Sequence, residues 1–344
     1  MRQPASWDAW ASNKPERFVT SPDHNTLCIF RRRNEKAIIS AFLHILKLAK
    51  ELGILKIGTV STDGTKIKAN ASIYKSVRND RAKELEKELE KEIEELLSKA
   101  EKTDDDEKDK DDDDRLQGDM KRLKTLKQKM KEAQKKLEEQ EREKETDQVN
   151  LTDSDSRIMR RSNRSEYTQS YNAQAVVDAE GSYLVVGARV TNHGVDRKEL
   201  LPNMEAIPEQ IGKPDKVLAD NGYVSEEQVN KVKKKNIEVY LPVSIDGQYE
   251  KRKHDYRPEK QTKGKVSKPL PWIKEMSEKM NDNQSRTLYR LRKQTVEPVF
   301  GIIKEVLGFK QFHLRGLEKV NIEWTLLMAS YNIKRLAKLI KMEG

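Results

Sequence analysis

Residues 56–65 read KIGTVSTDGT, and this stretch decides the fold prediction for the chain. Polar and apolar residues alternate along it and β-branched types are frequent, which is typical of a strand with one buried face. The pattern therefore predicts a strand that ends on Asp63, followed by a turn and a second extended piece. A strand end is a rigid element from which to present a carboxylate.

Two further carboxylates lie in similarly apolar surroundings. Residues 216–218 predict a short strand that ends on Asp220, within the block VLADNGY. Glu297 lies in TVEPVFG, inside a segment of helical composition. Burying a carboxylate costs free energy unless it is paired or binds a metal. Spacing alone does not select these residues from 58 acidic residues, but their apolar surroundings make them candidates for a metal site.

Periodic patterns elsewhere in the sequence predict further strands and helices. Residues 171–177 and 184–190 predict two strands joined by a turn at Gly181, which together form a β-hairpin. Strands and helices alternate along much of the chain, which favours an α/β fold. The further predicted elements are helices over 22–33, 34–53, 198–211, 225–235, 284–307 and 322–342, and a strand over 237–243.

Two long segments, 79–100 and 115–145, have the composition of exposed helices. They are rich in Glu, Lys, Leu, Gln and Ala, and many Glu–Lys pairs lie four residues apart. Leucines recur along one stripe of each segment, which predicts an antiparallel, coiled-coil-like helical hairpin. The acidic run at 101–114 is interpreted as the solvated tip of this hairpin, with a metal site as the less favoured alternative.

Charge is unevenly distributed along the chain. The 344 residues carry a formal net charge of +10, with 37% charged and 35% hydrophobic residues. The run at 101–114 holds ten acidic and three basic residues, a net charge of −7, so the rest of the chain carries +17. A basic body favours a polyanionic partner such as nucleic acid, although charge alone is equally consistent with a merely basic soluble protein.

Several classes of site and protein are not favoured. Cys28 is the single cysteine, so neither a disulfide framework nor a cysteine-based zinc site is expected. The five histidines are far apart in sequence, and none pairs at the spacing of metal ligands. The first ten residues lack the apolar region of a signal peptide, and no apolar run approaches the ~18 residues of a membrane span. An intracellular, reducing environment is therefore expected.

Two segments leave alternatives open. The helices at 22–33 and 34–53 bring three arginines, at 31–33, to a helix end. These helices either contact DNA or dock on the domain that follows. Residues 247–280 begin with a lysine-rich stretch that contains proline, and they are predicted to form a basic linker.

Six blocks of sequence carry a more specific signal. They are SPDHNTLCIFRRRN (21–34), TDGTKIKANAS (62–72), YNAQAVVD (171–178), VLADNGY (217–223), VEPVFGIIK (296–304) and LRGLEKVNIEWTLLMASYNIKRL (314–336). In this order they resemble the signature blocks of bacterial insertion-sequence DDE-type transposases, and most closely the group numbered eleven eighty-two. Relative to that group, the chain is shortened at its N-terminus and lacks a cysteine-containing insert between Asp220 and Glu297.

The resemblance implies a set of site residues. The family has an RNase H-like core whose three catalytic carboxylates match Asp63, Asp220 and Glu297. These residues are therefore expected to bind two Mg²⁺ (or Mn²⁺) ions. Related transposases also carry a Tyr–Arg–Glu–Lys signature with DNA-binding roles, but here the arginine lies one residue further from the glutamate than is common. The four matching or neighbouring residues are Tyr289, Arg292, Lys293 and Lys304.

The resemblance also implies an activity and its partners. The expected reaction is metal-dependent phosphodiester hydrolysis at element ends, followed by strand transfer into target DNA, which together give DNA transposition and recombination. The expected partners are transposon ends and target DNA, with a homodimer when DNA is bound and no membrane. The expected location is the bacterial cytoplasm, in association with the nucleoid. The alternative is a catalytically inactive, truncated transposase that acts as a DNA-binding, repressor-like remnant.

The predicted domain organisation follows from these expectations. Residues 1–54 are predicted to form an N-terminal helical segment, the remnant of a DNA-binding region. Residues 55–344 are predicted to form an RNase H-like DDE transposase domain. The helical hairpin at 74–150 and the basic linker at 247–280 are expected to interrupt this domain.

Overall fold

The computed structural model describes residues 24–103, 110–143, 148–160, 165–243 and 270–343, which form a mixed α/β structure. The helices are α1 (His24–Arg33), α2 (Glu35–Glu51), α3 (Asn79–Thr103), α4 (Lys110–Glu143), α5 (Leu200–Glu205), α6 (Glu226–Lys234), α7 (Pro271–Asn281), α8 (Asn283–Gly301) and α9 (Leu317–Glu343). The strands are β1 (Thr59–Lys68), β2 (Ser76–Arg78), β3 (Gln148–Asn150), β4 (Arg157–Arg160), β5 (Tyr167–Asp178), β6 (Val185–Thr191), β7 (Lys216–Leu218) and β8 (Glu238–Tyr240).

The chain divides into two compact units. The first unit comprises the described residues up to Thr65, from Asn172 to Lys310 and from Glu318 onwards. The second unit comprises Lys66–Tyr171 and Gln311–Leu317. Asp63, Asp220 and Glu297 all belong to the first unit.

The strands of the first unit belong to a six-stranded mixed sheet with the order β4-β5-β1-β7-β8, in which β6 also pairs with β5. Strand β1 pairs in parallel with β7, and β7 pairs in parallel with β8. Strands β5 and β6 pair antiparallel, which confirms the predicted hairpin. Val60, Leu218 and Val239 are completely buried in the three parallel strands. Such continuous burial is expected where both faces of a parallel sheet are covered.

Helix α9 is joined to β5 and β6 by buried polar side chains. The indole Nε1 of Trp324 donates a hydrogen bond to the carbonyl of Gln174 at 2.9 Å. The side-chain amide of Asn332 donates to the carbonyl of Val185 and accepts from its N–H, both at 2.8 Å. These bonds satisfy polar groups that would otherwise be buried without partners, and they fix the helix on strands close to β1.

The second unit contains the two long helices. Helices α3 and α4 run antiparallel, since Gln134 donates to Glu86 at 2.7 Å and Lys127 pairs with Glu90 at 2.8 Å. Strands β2 and β3 form an antiparallel pair beside them. A small apolar core joins the helices to these strands. Its buried members are Val77, Ala82, Ala133, Leu137 and Val149.

The predicted end of the first strand was wrong. Strand β1 continues five residues beyond Asp63, to Lys68. The extension has its own backbone partners, because the N–H of Phe312 donates to the carbonyl of Lys68 at 2.8 Å. Asp63 therefore lies inside a long strand, a position at least as rigid as the predicted strand end.

Two other predicted boundaries were wrong. Helix α7 lies inside the predicted linker at 247–280, because Pro271 begins its first turn and Met276 is buried on one face. The predicted helix at 198–211 ends at Glu205, and a separate short 3₁₀ turn follows at Glu209–Ile211.

Some predictions fall partly or wholly outside the described residues. These are the start of the first helix at residues 21 and 22, the centre of the acidic run at 104–109, and the linker up to residue 269. At the edge of the acidic run, α4 begins at Lys110, so residues 110–114 are helical and not part of a loop.

Candidate functional site: an acidic cluster around Arg292

Asp63 lies on β1, and Asp220 follows the neighbouring parallel strand β7. The register of β1 and β7 pairs Ser61 with Leu218. Asp63 and Asp220 each come two residues after a member of this pair. Neighbouring strands are separated by about 4.8 Å, so the two aspartates project from adjacent points of the sheet.

Each aspartate has one oxygen fixed by the backbone that follows it. The N–H of Gly64 donates to Oδ1 of Asp63 at 2.8 Å. The N–H of Gly222 likewise donates to Oδ1 of Asp220 at 2.8 Å. These bonds orient the two carboxylates and leave the Oδ2 atom of each for another partner.

That partner is the guanidinium of Arg292, which all three predicted carboxylates share. Its Nη2 lies 2.8 Å from Oδ2 of Asp63 and 3.7 Å from Oδ2 of Asp220. Its Nη1 lies 3.2 Å from Oε1 of Glu297. The Arg292 side chain is only 9% exposed, whereas that of Glu297 is 49% exposed. The three acids are far apart in sequence, and the fold brings them around one buried cation.

One guanidinium does not balance three carboxylates. Burial raises the pKa of Asp63 from 3.8 to about 6, although the positive charge of Arg292 opposes this shift. The nearby carboxylates of Asp220 and Asp196 raise the pKa further. A partly buried cluster with excess negative charge favours a cation of higher charge than a single guanidinium.

Tyr289 lies within electrostatic reach of this cluster. Burial raises the pKa of its hydroxyl to about 12; Arg292 opposes this rise, while Asp220 and Asp63 add to it. Tyr289 precedes Arg292 by three residues on α8, so the two side chains lie on one face of the helix.

The two predicted lysines lie in different environments. Lys304 donates a hydrogen bond to Oγ1 of Thr65, which follows Asp63 by two residues and therefore lies on the same face of β1. Lys293 is exposed, about 100° around α8 from Arg292. The fold thus brings Tyr289 and Lys304 towards the acids, whereas Lys293 faces solvent.

The helix that carries Glu297 is irregular next to that residue. Pro298 lies inside α8 and cannot donate a backbone hydrogen bond, which weakens the helix at this point. After Gly301 the chain adopts a π-helical turn over Ile302–Val306, which includes Lys304. Such turns are rare and are frequent at functional sites.

Sequence reasoning missed a polar network beside the two aspartates. Oδ1 of Asp196 accepts hydrogen bonds from the side-chain amides of Asn172 and Gln174, both at 2.7 Å. Oε1 of Gln174 accepts from Asn203 at 2.8 Å and from the hydroxyl of Tyr223. Except for Asp196, these side chains are almost completely buried. The available signal was the pair of amides that interrupts the apolar strand YNAQAVV.

Gly64 lets this network approach the backbone beside Asp63. A β-carbon at Gly64 would lie 2.3 Å from Nε2 of Gln174 and 2.6 Å from Oδ1 of Asp196. Any other residue at position 64 would therefore displace the network. A β-carbon at Gly222 would lie 3.6 Å from Oδ2 of Asp196, so this carboxylate lies near the backbone that follows both aspartates.

The cluster is arranged around an organic cation. In the part of the chain that the structure describes, no group of three or more His, Cys, Asp or Glu side chains is placed to hold a metal ion. The guanidinium of Arg292 lies among the three carboxylates instead. Carboxylate oxygens are nevertheless the ligands that hard divalent cations prefer.

Comparison with protein families identifies the class of the protein. Residues 144–333 match the model described as the transposase DDE domain. This match covers more than half of the chain, and the protein therefore belongs to the transposase DDE domain family. The matched region includes Asp220 and Glu297, whereas Asp63 precedes it. No curated protein and no solved structure matches the chain.

Membership of this family has two direct consequences. A transposase acts on DNA, so the substrate class is DNA. Transposases of the DDE type generally use divalent metals. Separately, none of the described helices combines the length and apolar character needed to cross a membrane.

Proposed function

We propose that this protein is an active transposase that hydrolyses phosphodiester bonds at element ends and transfers the cut strand into target DNA. Asp63, Asp220 and Glu297 are the proposed catalytic carboxylates. The observation that carries the proposal is their convergence on the guanidinium of Arg292, in a chain of the transposase DDE domain family.

The residues of the cluster fit a divalent metal by the chemistry of their donors. They supply hard carboxylate oxygens. Burial raises the pKa of Asp63, and the charges of Asp220 and Asp196 raise it further against the opposing charge of Arg292. Asp63, Asp220 and Glu297 would hold Mg²⁺ or Mn²⁺, with two ions as the proposed number. When bound, such ions activate the attacking oxygen and stabilise the leaving oxygen of a phosphodiester.

Arg292 has two proposed partners. Without metal, its guanidinium lies between the carboxylates. The same side chain would also be able to contact a DNA phosphate, because guanidinium binds phosphate and carboxylate with similar bidentate geometry.

Three neighbouring side chains have proposed DNA contacts. Lys304 holds its ammonium group near the acids through Thr65 and would contact a phosphate oxygen close to the cleaved bond. Tyr289 would position the DNA backbone or the terminal bases. Lys293 is exposed on α8 and would contact a phosphate further from the site of chemistry.

We propose that the sheet of the first unit, with its flanking helices, is an RNase H-like core. Strand β1, which carries Asp63, pairs in parallel with β7, which Asp220 follows, and this pairing supports the proposal. Helices α3 and α4, with β2 and β3, are the proposed hairpin insertion at 74–150. Residues 1–54 remain the proposed remnant of a DNA-binding region, and the chain is proposed to be a member of the group numbered eleven eighty-two.

Strand transfer with pre-cleaved ends is the experiment that tests this function. Duplex oligonucleotides that carry the terminal sequences of the element, already cut to a 3′-hydroxyl, are incubated with protein, target plasmid and Mg²⁺ or Mn²⁺. Joined product is expected with the wild-type protein and absent with Asp220→Ala. Pre-cleaved ends remove the first hydrolysis and so report on the metal-dependent step directly.

Asp215→Ala is the matched control for this experiment. Asp215 is exposed and precedes Asp220 by only five residues, so its loss removes the same charge without touching the cluster. If a folded wild-type protein binds the ends but yields no joined product with either metal, the repressor-like remnant is the better description. Equal product from wild type and Asp220→Ala would contradict the assigned catalytic role.

We also propose that the protein is a homodimer when DNA is bound, because two element ends require two active sites. The long helices offer a surface for this contact, since Leu97 on α3 and Leu126 on α4 remain 45% and 37% exposed. Light scattering with and without end DNA is expected to give a dimer only in its presence. A Leu97→Glu, Leu126→Glu variant that still dimerises on DNA would exclude this surface.

A further inference from the structure

Asp196 is a fourth carboxylate close to the catalytic aspartates. It lies in the segment after β6, far in sequence from Asp63 and Asp220. Its Oδ1 approaches the backbone at Gly64, directly after Asp63, and its Oδ2 approaches Gly222, shortly after Asp220. The carboxylate therefore lies next to the backbone that carries both aspartates.

Asn172 provides a second, independent feature at the same place. Its side chain is completely buried, and its amide nitrogen donates to Asp196 at 2.7 Å and to the carbonyl of His193 at 3.1 Å. Its carbonyl oxygen Oδ1 has no hydrogen-bond partner among the described residues. That oxygen would lie 2.8 Å from a β-carbon at Gly64, so it faces the same backbone as Asp196. A buried acceptor without a donor indicates a missing ligand or water.

The two side-chain amide bonds that Asp196 accepts do not depend on its negative charge. Both amide donors bind the single atom Oδ1, and the oxygen of an asparagine would accept the same two bonds. A negative charge here instead adds to the repulsion within the acid cluster and contributes to the raised pKa of Asp63. A carboxylate that adds to this repulsion is consistent with a role when a cation is present.

We propose that Asp196 and Asn172 extend the cation site of Asp63 and Asp220 as an outer layer of oxygen ligands. Their oxygens accept hydrogen bonds from the water that the divalent cation retains, and Asp196 adds its charge to the attraction. Mg²⁺ usually keeps several waters in protein sites, so such acceptors are needed around it. This inference rests on the proposed function, and it assigns residues outside the three catalytic carboxylates.

Binding of Mn²⁺ to the full-length protein without DNA tests the inference independently of activity. Free Mn²⁺ is measured by electron paramagnetic resonance during titration of the wild type and of Asp196→Asn. The asparagine keeps the acceptor for both amides and removes only the charge. We expect affinity for Mn²⁺ to fall roughly tenfold or more, the usual effect of losing an outer-layer ligand. Asp196→Glu, which keeps the charge, is expected to recover most of the lost affinity.

Two further variants separate the possible outcomes. Asp215→Asn removes one charge from an exposed position of the same unit and is expected to bind Mn²⁺ like the wild type. Asp220→Ala is expected to bind Mn²⁺ far more weakly. If Asp220→Ala is weak but Asp196→Asn matches Asp215→Asn, the outer layer is excluded and the proposed function stands. If Asp220→Ala binds like the wild type, the proposed metal centre fails and this inference fails with it.

Discussion

The two units of the chain use buried carboxylates in contrasting ways. In the first unit, Asp63 and its two partners share the guanidinium of Arg292. In the second unit, Asp155 has separate partners for its two oxygens. Its Oδ1 pairs with the ammonium of Lys136 at 2.6 Å, and its Oδ2 accepts from the N–H of Leu317, the first residue of α9, at 2.9 Å.

The pKa shifts of the two residues run in opposite directions. Burial alone would raise the pKa of Asp155, but the bonds from Lys136 and from the N–H of Leu317 outweigh it and lower the pKa. For Asp63, burial outweighs Arg292 and the pKa rises to about 6. Asp155 therefore stabilises the fold as an anion, whereas Asp63 is held as an anion at a free-energy cost that a metal would offset.

The direction of a pKa shift does not by itself separate the two roles. Burial also raises the pKa of Asp153 in the second unit, where the carboxylate accepts from the hydroxyl of Tyr171 and the N–H of Gly316. What distinguishes Asp63 is the identity of its partner, a single cation shared with other acids. A cation that is shared among several acids therefore marks a candidate for metal binding.

The largest expected effect contrasts Asp63→Asn with Asp155→Asn in strand transfer. Asp63→Asn removes one proposed metal ligand and is expected to lower the rate about a thousandfold, the equivalent of several kcal/mol of transition-state stabilisation. Asp155→Asn is expected to leave the rate within about threefold, because that carboxylate serves the fold of the other unit. Initial rates with saturating Mn²⁺ measure both. Equal losses in the two variants would remove the distinction between the two kinds of carboxylate.

Part of this site could be predicted from the sequence, because short-range sequence patterns predict the strands next to Asp63 and Asp220. Asp63 and Asp220 follow apolar stretches whose periodicity predicts strands, so their placement on the sheet depends on short-range patterns. The position of Arg292 between the acids depends on how α8 packs, and no local pattern carries that information. Asp196 was missed for the same reason, since its partners Asn172 and Gln174 lie on a strand more than twenty residues earlier.

The errors in the fold prediction also have physical causes. Strand β1 was ended too early because Gly64 normally weakens a strand, whereas here its small size makes room for the polar network. Helix α7 was assigned to a linker because the lysine-rich composition before Pro271 dominated the assignment of the whole segment. Both errors arose where tertiary contacts override local composition.

The next effect concerns the cation that the acids share. Arg292→Met keeps most of the side-chain volume and removes the charge that competes with a metal. We expect Mn²⁺ to bind the variant about tenfold more tightly at pH 8, while strand transfer falls because a phosphate contact is lost. Titration of Mn²⁺ followed by electron paramagnetic resonance measures the affinity.

Arg290→Met, at an exposed position two residues earlier, is the control and is expected to bind Mn²⁺ as the wild type does. Weaker binding in Arg292→Met would mean that the arginine supports the metal site and does not compete for it.

A smaller effect is expected when the structural carboxylate is removed. Asp155→Ala leaves the N–H of Leu317 and the ammonium of Lys136 without this partner. The expected loss is about 1 kcal/mol, the usual effect of deleting a capping carboxylate at a helix start. Urea denaturation followed by circular dichroism measures it. Asp119→Ala, at an exposed position on α4, is expected to change stability by less than about 0.5 kcal/mol. A loss in Asp119→Ala as large as that in Asp155→Ala would show that the capping bonds contribute nothing specific.

The smallest expected effect is the pH dependence of stability, measured as the difference in unfolding free energy between the wild type and the variants Asp155→Asn and Asp63→Asn. A carboxylate whose pKa is lowered on folding contributes stability above its unfolded pKa, ordinarily 3.8, and loses it as the pH falls through the folded value. The stability difference between the wild type and Asp155→Asn is therefore expected to be constant from about pH 7 to about pH 5 and to shrink below about pH 4.

Asp63 has a raised pKa, so its contribution to stability changes with pH in the opposite direction. In metal-free buffer, the wild type is expected to lose stability relative to Asp63→Asn as the pH rises through about 6. Differences that change in the same direction for both variants would contradict the assignment of one carboxylate to the fold and the other to the cation site.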